Sequence, residues 1–226
     1  MSRTSRFAAL AETLDSGDLP HLQGMGRRQR RTAETRLRLF RCALQLFAVH
    51  GFPNVTVADI TEAADVGKGT FFNYFESKDH VLGVMAEIQL GKVREAVTLA
   101  ESGKQTIHAV LHRLFLRIVE EPGRSPGLAR AVISAFLASE DVRGLVDRSL
   151  REGRKMLARV VAAGQERGEI DSRLRKEKVA IQLQQACLGT LLLWSLQGRP
   201  TLQAWIEGSF QHFWRAIAIP NQEAKR

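Results

Sequence analysis

Apolar residues recur along this chain at helical spacing almost from end to end. Leu37, Phe40, Leu44 and Phe47 lie at i, i+3, i+7 and i+10, one face of a helix predicted over residues 32–50. Gly51 ends that helix and Pro53 prevents its return. Val57, Ile60 and Ala64 make a second, shorter stripe, and Phe71 with Phe75, four apart, a third. Ser77 can cap a fourth helix that carries Val81, Met85 and Ile88 towards Glu101, with a break at Gly103. Further helical patterns cover 105–119, 128–138, 141–167 and 176–197. Pro200 and Thr201 open a last one that ends near Ile217. No segment alternates with period two for long enough to predict a strand. The pattern predicts an all-α protein of about nine helices, with no internal repeat.

The shortest of these helices carry the most information. Thr56 followed by Asp59 is a capping box, which starts a helix by satisfying backbone N–H groups that have no partner in the first turn. That helix stops at Ala64. Asp65 stands where a tight turn needs left-handed backbone, which Asp tolerates better than most residues, and Val66 can plug the turn into the core. Gly67 takes the cap position of the next helix, a weaker choice than Ser, Thr or Asp. If Phe71 and Phe75 face inward, Lys68, Thr70, Asn73 and Tyr74 face out. Two short helices joined by a tight turn, the second with a polar outer face, form a helix-turn-helix pattern, whose second helix enters the major groove of DNA.

Charge strengthens this picture. The chain of 226 residues has a net charge of +9, and the excess is unevenly placed. Between Arg27 and His50 there are seven arginines (27, 28, 30, 31, 36, 38 and 41) against Glu34 alone. A basic run by itself is usually a solvated tail. Directly ahead of a helix-turn-helix, it fits contact with a phosphate backbone through counterion release. A second basic stretch, Arg143 to Arg159, reads as a solvated helix face. Residues 1–26 hold Ser, Gly, Asp and Pro around one apolar patch, Phe7 to Leu14, and are expected to be a mostly flexible extension.

Other chemistry is sparse. Cys42 and Cys187 are the only cysteines, and their separation suits neither a metal site nor a disulfide framework. His108 and His112, four apart on one helix, lack a third ligand nearby, so ordinary polar positions are favoured over metal binding. There is no nucleophile elbow, P-loop, dinucleotide fingerprint or zinc-protease motif, so nothing argues for an enzyme or a cofactor. The first residues form no signal peptide, and the longest apolar run, Leu188 to Leu196, is too short to cross a bilayer. A soluble, cytoplasmic protein is expected.

From Arg31 to Leu82 the order of elements carries a resemblance. A basic start and a helix ending LFAVHGF are followed by TVADITEAADVGKGTFFNYFESKDHVL. The Gly51-Phe52 stop, Thr56-Val57 with Asp59-Ile60, Gly69-Thr70-Phe71, Tyr74-Phe75 and Ser77-Lys78-Asp79 together resemble the DNA-binding domain of the TetR family of transcriptional regulators. Three positions depart from the family pattern: Asp65 replaces the usual turn glycine, Gly67 a frequent Ser or Thr, and Phe72 a common Tyr.

The resemblance implies three segments: a flexible basic extension over 1–30, a helix-turn-helix domain over 31–80, and a helical ligand-binding and dimerisation domain over 81–226. It implies a ligand-responsive repressor that binds a palindromic operator as a homodimer and is released by a small-molecule effector. The DNA-contact candidates are Arg30, Arg31, Thr56, Lys68, Gly69, Thr70, Phe72, Asn73, Tyr74 and Lys78. Thr56 serves either as a cap alone or as a phosphate contact too. Gly69 allows close backbone approach, Asn73 suits an adenine edge, and Phe72 suits a thymine methyl or sugar. All three tryptophans fall in the last two helices, which serve either the protomer core or a subunit seam. The family's four-helix dimer bundle favours the seam, with Gly189, Trp194, Trp205, Phe210, Phe213 and Trp214 as its candidates. No pocket residues follow from linear spacing. Met85, Phe115, Phe136 and Met156 are apolar candidates that core packing explains first. Two other classes, a helical scaffold protein and an enzyme, lack a feature that calls for them.

Overall fold

The computed structural model describes residues 27–219. Among these, nine α-helices account for the regular structure, joined by two single 3-10 turns at Phe52–Asn54 and Pro122–Arg124. The helices are α1 (Arg27–His50), α2 (Val57–Ala63), α3 (Lys68–Phe72), α4 (Lys78–Ser102), α5 (Ile107–Ile118), α6 (Pro126–Ala138), α7 (Glu140–Glu166), α8 (Lys176–Gln197) and α9 (Leu202–Ile217). One isolated antiparallel bridge, Ile170 with Ala218, is the sole β pairing among the described residues.

Ser77 and Thr201 stand at helix starts as the sequence predicts, and Thr106 and Ser125 are caps the sequence reading did not name. Thr106, Ser125 and Thr201 accept backbone N–H groups at the starts of α5, α6 and α9. Ser77 accepts the His80 N–H at the start of α4. One boundary differs. Helix α1 already includes Arg27, the first described residue, so residues 27–30, expected within a flexible extension, are helical. Arginine is a good helix former, and Arg30 reaches Glu34 one turn on at 3.3 Å. The rest of the predicted extension lies outside the described residues.

The chain divides into two compact units. The first takes the chain up to Gly91 together with Ser125–Ser149; the second takes Lys92–Arg124 and everything from Leu150. The first unit is built on one core, in which Leu39, Phe40, Ala43 and Phe47 of α1 meet Ile60, Phe71, Phe75, Val81 and Leu82, with Leu128, Val132 and Ala135 of α6 closing over them. Helix α6 docks tightly on α1. A methyl group added at Gly127 would lie 2.4 Å from the Ala48 carbonyl oxygen, so only glycine fits there. The Ser139 hydroxyl caps α7 and donates to Asp79 Oδ1 at 2.6 Å, tying the α6–α7 elbow to the start of α4.

In the second unit α5 packs on α9 through rings. His108, His112 and Phe115 lie with centroids 5.3, 5.1 and 5.2 Å from Phe210. His112 Nε2 stands 2.5 Å from Glu207 Oε2. No group of three metal-type side chains gathers among the described residues. Lys92 is buried, and its ammonium donates to the Arg117 carbonyl at 2.6 Å and to Glu121 at 2.7 Å, which compensates a charge that would be costly alone.

The candidates on α8 and α9 separate into two sets. Phe210 is fully buried and Trp194 is 3% exposed, with its indole N–H donating to the Pro200 carbonyl at 2.8 Å. Both therefore serve the protomer's own core rather than a subunit seam. Trp205, Phe213 and Trp214 are half-buried, and Trp214 packs edge-on to His108. Gly189 has open space beside it. The apolar surface lies elsewhere on α8: Leu188, Leu192, Leu193 and Leu196 are 39%, 45%, 51% and 69% exposed. Helix α8 as a whole, unlike the short run of leucines, is long and apolar enough to cross a membrane, but 44% of its most apolar window is buried in the fold.

Candidate nucleic-acid interface

The two short helices form as their sequence requires. The Thr56 hydroxyl accepts the Asp59 N–H at 3.2 Å, and the Asp59 carboxylate accepts the Thr56 N–H at 2.7 Å. The same carboxylate accepts the Thr56 hydroxyl at 2.8 Å. The backbone bond from Thr56, then its hydroxyl, hold Asp59 below the usual carboxylate range. The hydroxyl is thus committed to the cap. Asp65 adopts φ +50, the left-handed turn that the sequence predicts. Val66 packs against the core.

Helix α3 is five residues long, capped by Gly67 in extended conformation with no side-chain cap. Phe71 and Phe75 are fully buried, with ring centroids 5.4 Å apart, and they fix the helix's orientation. Lys68, Gly69, Phe72 and Asn73 are exposed; Thr70 and Tyr74 are half-buried. Nothing stands within 4 Å of where a Cβ would sit on Gly67 or Gly69, so this edge is open to close approach. Phe72 keeps 55% of its surface exposed, an unusual cost for an aromatic ring unless something apolar meets it. Asn73 and Tyr74 lie just past the helix end, in the turn that follows.

Lys78 is not available for DNA. Its ammonium donates to the carbonyls of Phe52 at 2.9 Å, Pro53 at 3.3 Å and Val55 at 2.9 Å, and lies 4.6 Å from the Phe52 ring centroid. A lysine has three N–H donors, and all three are spent on the 3-10 turn after α1. The expectation of a phosphate contact is therefore corrected: Lys78 is an internal staple. Its position at a helix start made it look like a phosphate ligand, and sequence gives no sign of three inward carbonyls.

Arg30 lies on the exposed outer side of α1 with Glu34. Arg31 shares a groove with Arg27, Arg28, Thr32, Thr35 and Tyr74. The basic run also contains a residue that sequence reasoning did not single out. Arg36 is half-buried, its guanidinium 5.7 Å from the Phe75 ring centroid, and its Nε is buried with no hydrogen-bond partner. Desolvation pulls this guanidinium down to about 10, partly offset by Tyr74.

Comparison with known proteins agrees with this geometry. The family model described as bacterial regulatory proteins, tetR family, matches residues 39–85, which span the α1 stripe, both short helices and the start of α4. The HTH-type transcriptional regulator TcmR of Streptomyces glaucescens is 31% identical over 154 residues, which are 58% of this chain and 66% of TcmR. The chain thus spans just under two thirds of that relative's length. The HTH-type transcriptional repressor DhaR of a Mycobacterium species is 27% identical over 151 residues, 66% of this chain and 76% of DhaR. The fold matches that of the transcriptional regulator FadR of Bacillus subtilis, solved with stearoyl-CoA, at a TM-score of 0.63 and 18% identity, over 78% of this chain and 96% of FadR. These proteins are regulators rather than enzymes. With its capped helix-turn-helix and open α3 edge, the stretch over residues 39–85 is a DNA-binding domain of the tetR family of bacterial regulatory proteins, carried on a chain whose described remainder is all helical.

Proposed function

We propose that this protein is a repressor that binds a palindromic operator as a homodimer in the cytoplasm and is released by a small-molecule effector. The observation that carries the reading is the outer face of α3. Lys68, Gly69 and Phe72 are exposed on α3 and Asn73 just past its end, while the buried rings of Phe71 and Phe75 set which face points outward. Lys68 and the free N–H groups at the helix start suit phosphate, and Asn73 and Phe72 suit base edges and a thymine methyl. DhaR's name as a repressor supports the direction of control.

Dimerisation is assigned to α8 and α9. Leu188, Leu192 and Leu196 recur every four residues on the outer side of α8, and Ala204 and Gly208 are exposed at the same spacing on α9. Leucines beside small residues let helices pack closely around a two-fold axis. This assignment also explains the apolar character of α8 without a membrane. An effector bound in the second unit would shift the dimer towards a form with misplaced recognition helices, which requires different affinities for the two forms. FadR's complex with stearoyl-CoA supports a search among acyl thioesters.

A gel-shift and footprint on the DNA upstream of the protein's own coding region tests the reading. Protection that weakens with salt, and weakens on every sequence in Lys68→Ala, is expected. No binding at any salt overturns it.

A further inference from the structure

We propose that the buried ion pair between Lys92 and Glu121 is a latch that selects one arrangement of the connection between α5 and α6. The latch goes beyond the repressor reading, and it rests on that reading only where DNA affinity is the readout.

The side chain of Lys92 on α4 is fully enclosed, a rare state for lysine. Its ammonium donates to the Arg117 carbonyl at 2.6 Å and to Glu121 Oε2 at 2.7 Å, and Glu120 Oε2 lies 3.5 Å away. Arg117 stands in the last turn of α5, so the cation also meets the negative end of that helix. Three residues further along α4, Glu95 pairs with Arg113 at 3.2 Å and with Arg117. The connection that follows α5 is tightly held. Val119 and Pro122 are buried, and a methyl added at Gly123 would lie 3.1 Å from Leu202 Cδ2 at the start of α9.

The place of the pair in the chain supplies an independent sign. The chain passes between its two compact units three times, at Gly91–Lys92, Arg124–Ser125 and Ser149–Leu150. Lys92 stands at the first passage and Glu121 three residues before the second, so one ion pair fastens two of these three points. Beyond the second, Ser125 caps α6, whose Leu128 and Val132 close over the helix-turn-helix core. Apolar residues of similar volume often give equal or greater stability than a buried ion pair. What the charges add is a penalty on every arrangement that parts them, because each leaves a buried ammonium without its carboxylate. Unwinding of the 3-10 turn Pro122–Arg124, or a slip of its register, is such an arrangement. Lys92 is thus a positioning residue for the connection, and through the connection for the start of α6.

The test uses the full chain and combines thermal melts, amide hydrogen exchange and affinity for a labelled duplex from upstream of the coding region. Glu121→Gln alone leaves the ammonium without its closest carboxylate and should lower the melting temperature by about 6 °C or more. Lys92→Met with Glu121→Met removes both charges and should recover the wild-type melting temperature. In that double variant the amides of residues 119–124 should nonetheless exchange about tenfold faster than in wild type, while those of residues 110–116 in α5 keep their rates. Its affinity for the duplex should fall by about tenfold, with no change in the slope of log K against log salt, because no phosphate contact is lost. A wild-type melting temperature in Glu121→Gln overturns the latch. So does a double variant that recovers stability with unchanged exchange at 119–124, since packing alone then fixes the connection. A double variant as unstable as the single one overturns it too, because the pair is then a stabilising contact and not a selector. Faster exchange with unchanged affinity confines the latch to the connection and overturns its bearing on DNA. If the wild type binds no duplex, the repressor reading falls, and the exchange rates still decide the latch.

Discussion

Replacing Lys78 by methionine separates a structural lysine from a DNA-contacting one. The methionine keeps much of the aliphatic stem and removes the ammonium. The carbonyls of Phe52, Pro53 and Val55 then lose donors at 2.9, 3.3 and 2.9 Å, and the Phe52 ring loses a cation 4.6 Å from its centroid. Hydrogen bonds to a charged group contribute about 1.5–3 kcal/mol net, and a partly desolvated cation–π contact contributes about 1 kcal/mol. The three bonds share one charge and do not add fully, so a total loss of about 3 kcal/mol is expected. For a chain of this size that corresponds to a fall in melting temperature of roughly 6–12 °C. The slope of DNA affinity against salt, measured in the cold where the variant stays folded, should not change. A melting temperature equal to wild type, with a slope lower by about 0.9, refutes the staple and restores Lys78 as a phosphate contact.

Five further outcomes follow from the geometry. Gly127→Ala places a methyl 2.4 Å from the Ala48 carbonyl oxygen and should destabilise by roughly 1–3 kcal/mol in thermal melts. Gly164→Ala meets the flexible end of Ile170 first, at 2.7 Å, and should cost less. Gly67→Ser enters open space at an extended cap position; it should stabilise by a few tenths of a kcal/mol and tighten DNA binding by adding a hydroxyl at the start of α3. Leu192→Glu with Leu196→Glu should yield a folded monomer in light-scattering chromatography; a persistent dimer removes α8 from the seam. Asp59 is held below its ordinary value of 3.8, so its contribution is present above that pH and is lost as the pH falls through the lower folded value. Asp59→Asn should flatten the acid limb of the stability curve.

The fold was legible in sequence to the extent that it depends on periodicity and caps. The Leu37–Phe47 stripe, the Thr56–Asp59 box, the Asp65 turn and the inward pair Phe71 and Phe75 are local signals, and each forms as its neighbours dictate. What sequence did not reveal depends on the direction of a side chain between elements. Lys78 and Lys68 look alike as lysines at helix starts, but only the first has three carbonyls within reach. Trp194 and Phe210 drew attention by size, yet they point into the protomer, while leucines on the same helix as Trp194 face out. Arg36 was one arginine among seven until burial set it apart. The helical state of residues 27–30 rests on an arginine-rich turn that composition alone assigns to a tail.

A footprint of the full chain on the DNA upstream of its coding region tests the central claim most directly. The account predicts two protected half-sites on one face of the duplex, separated by about one helical turn or a multiple of it, with protection reduced equally at both by Lys68→Ala. Uniform, sequence-independent coverage, or no protection at low salt, would contradict the assignment of α3 as the helix that reads an operator.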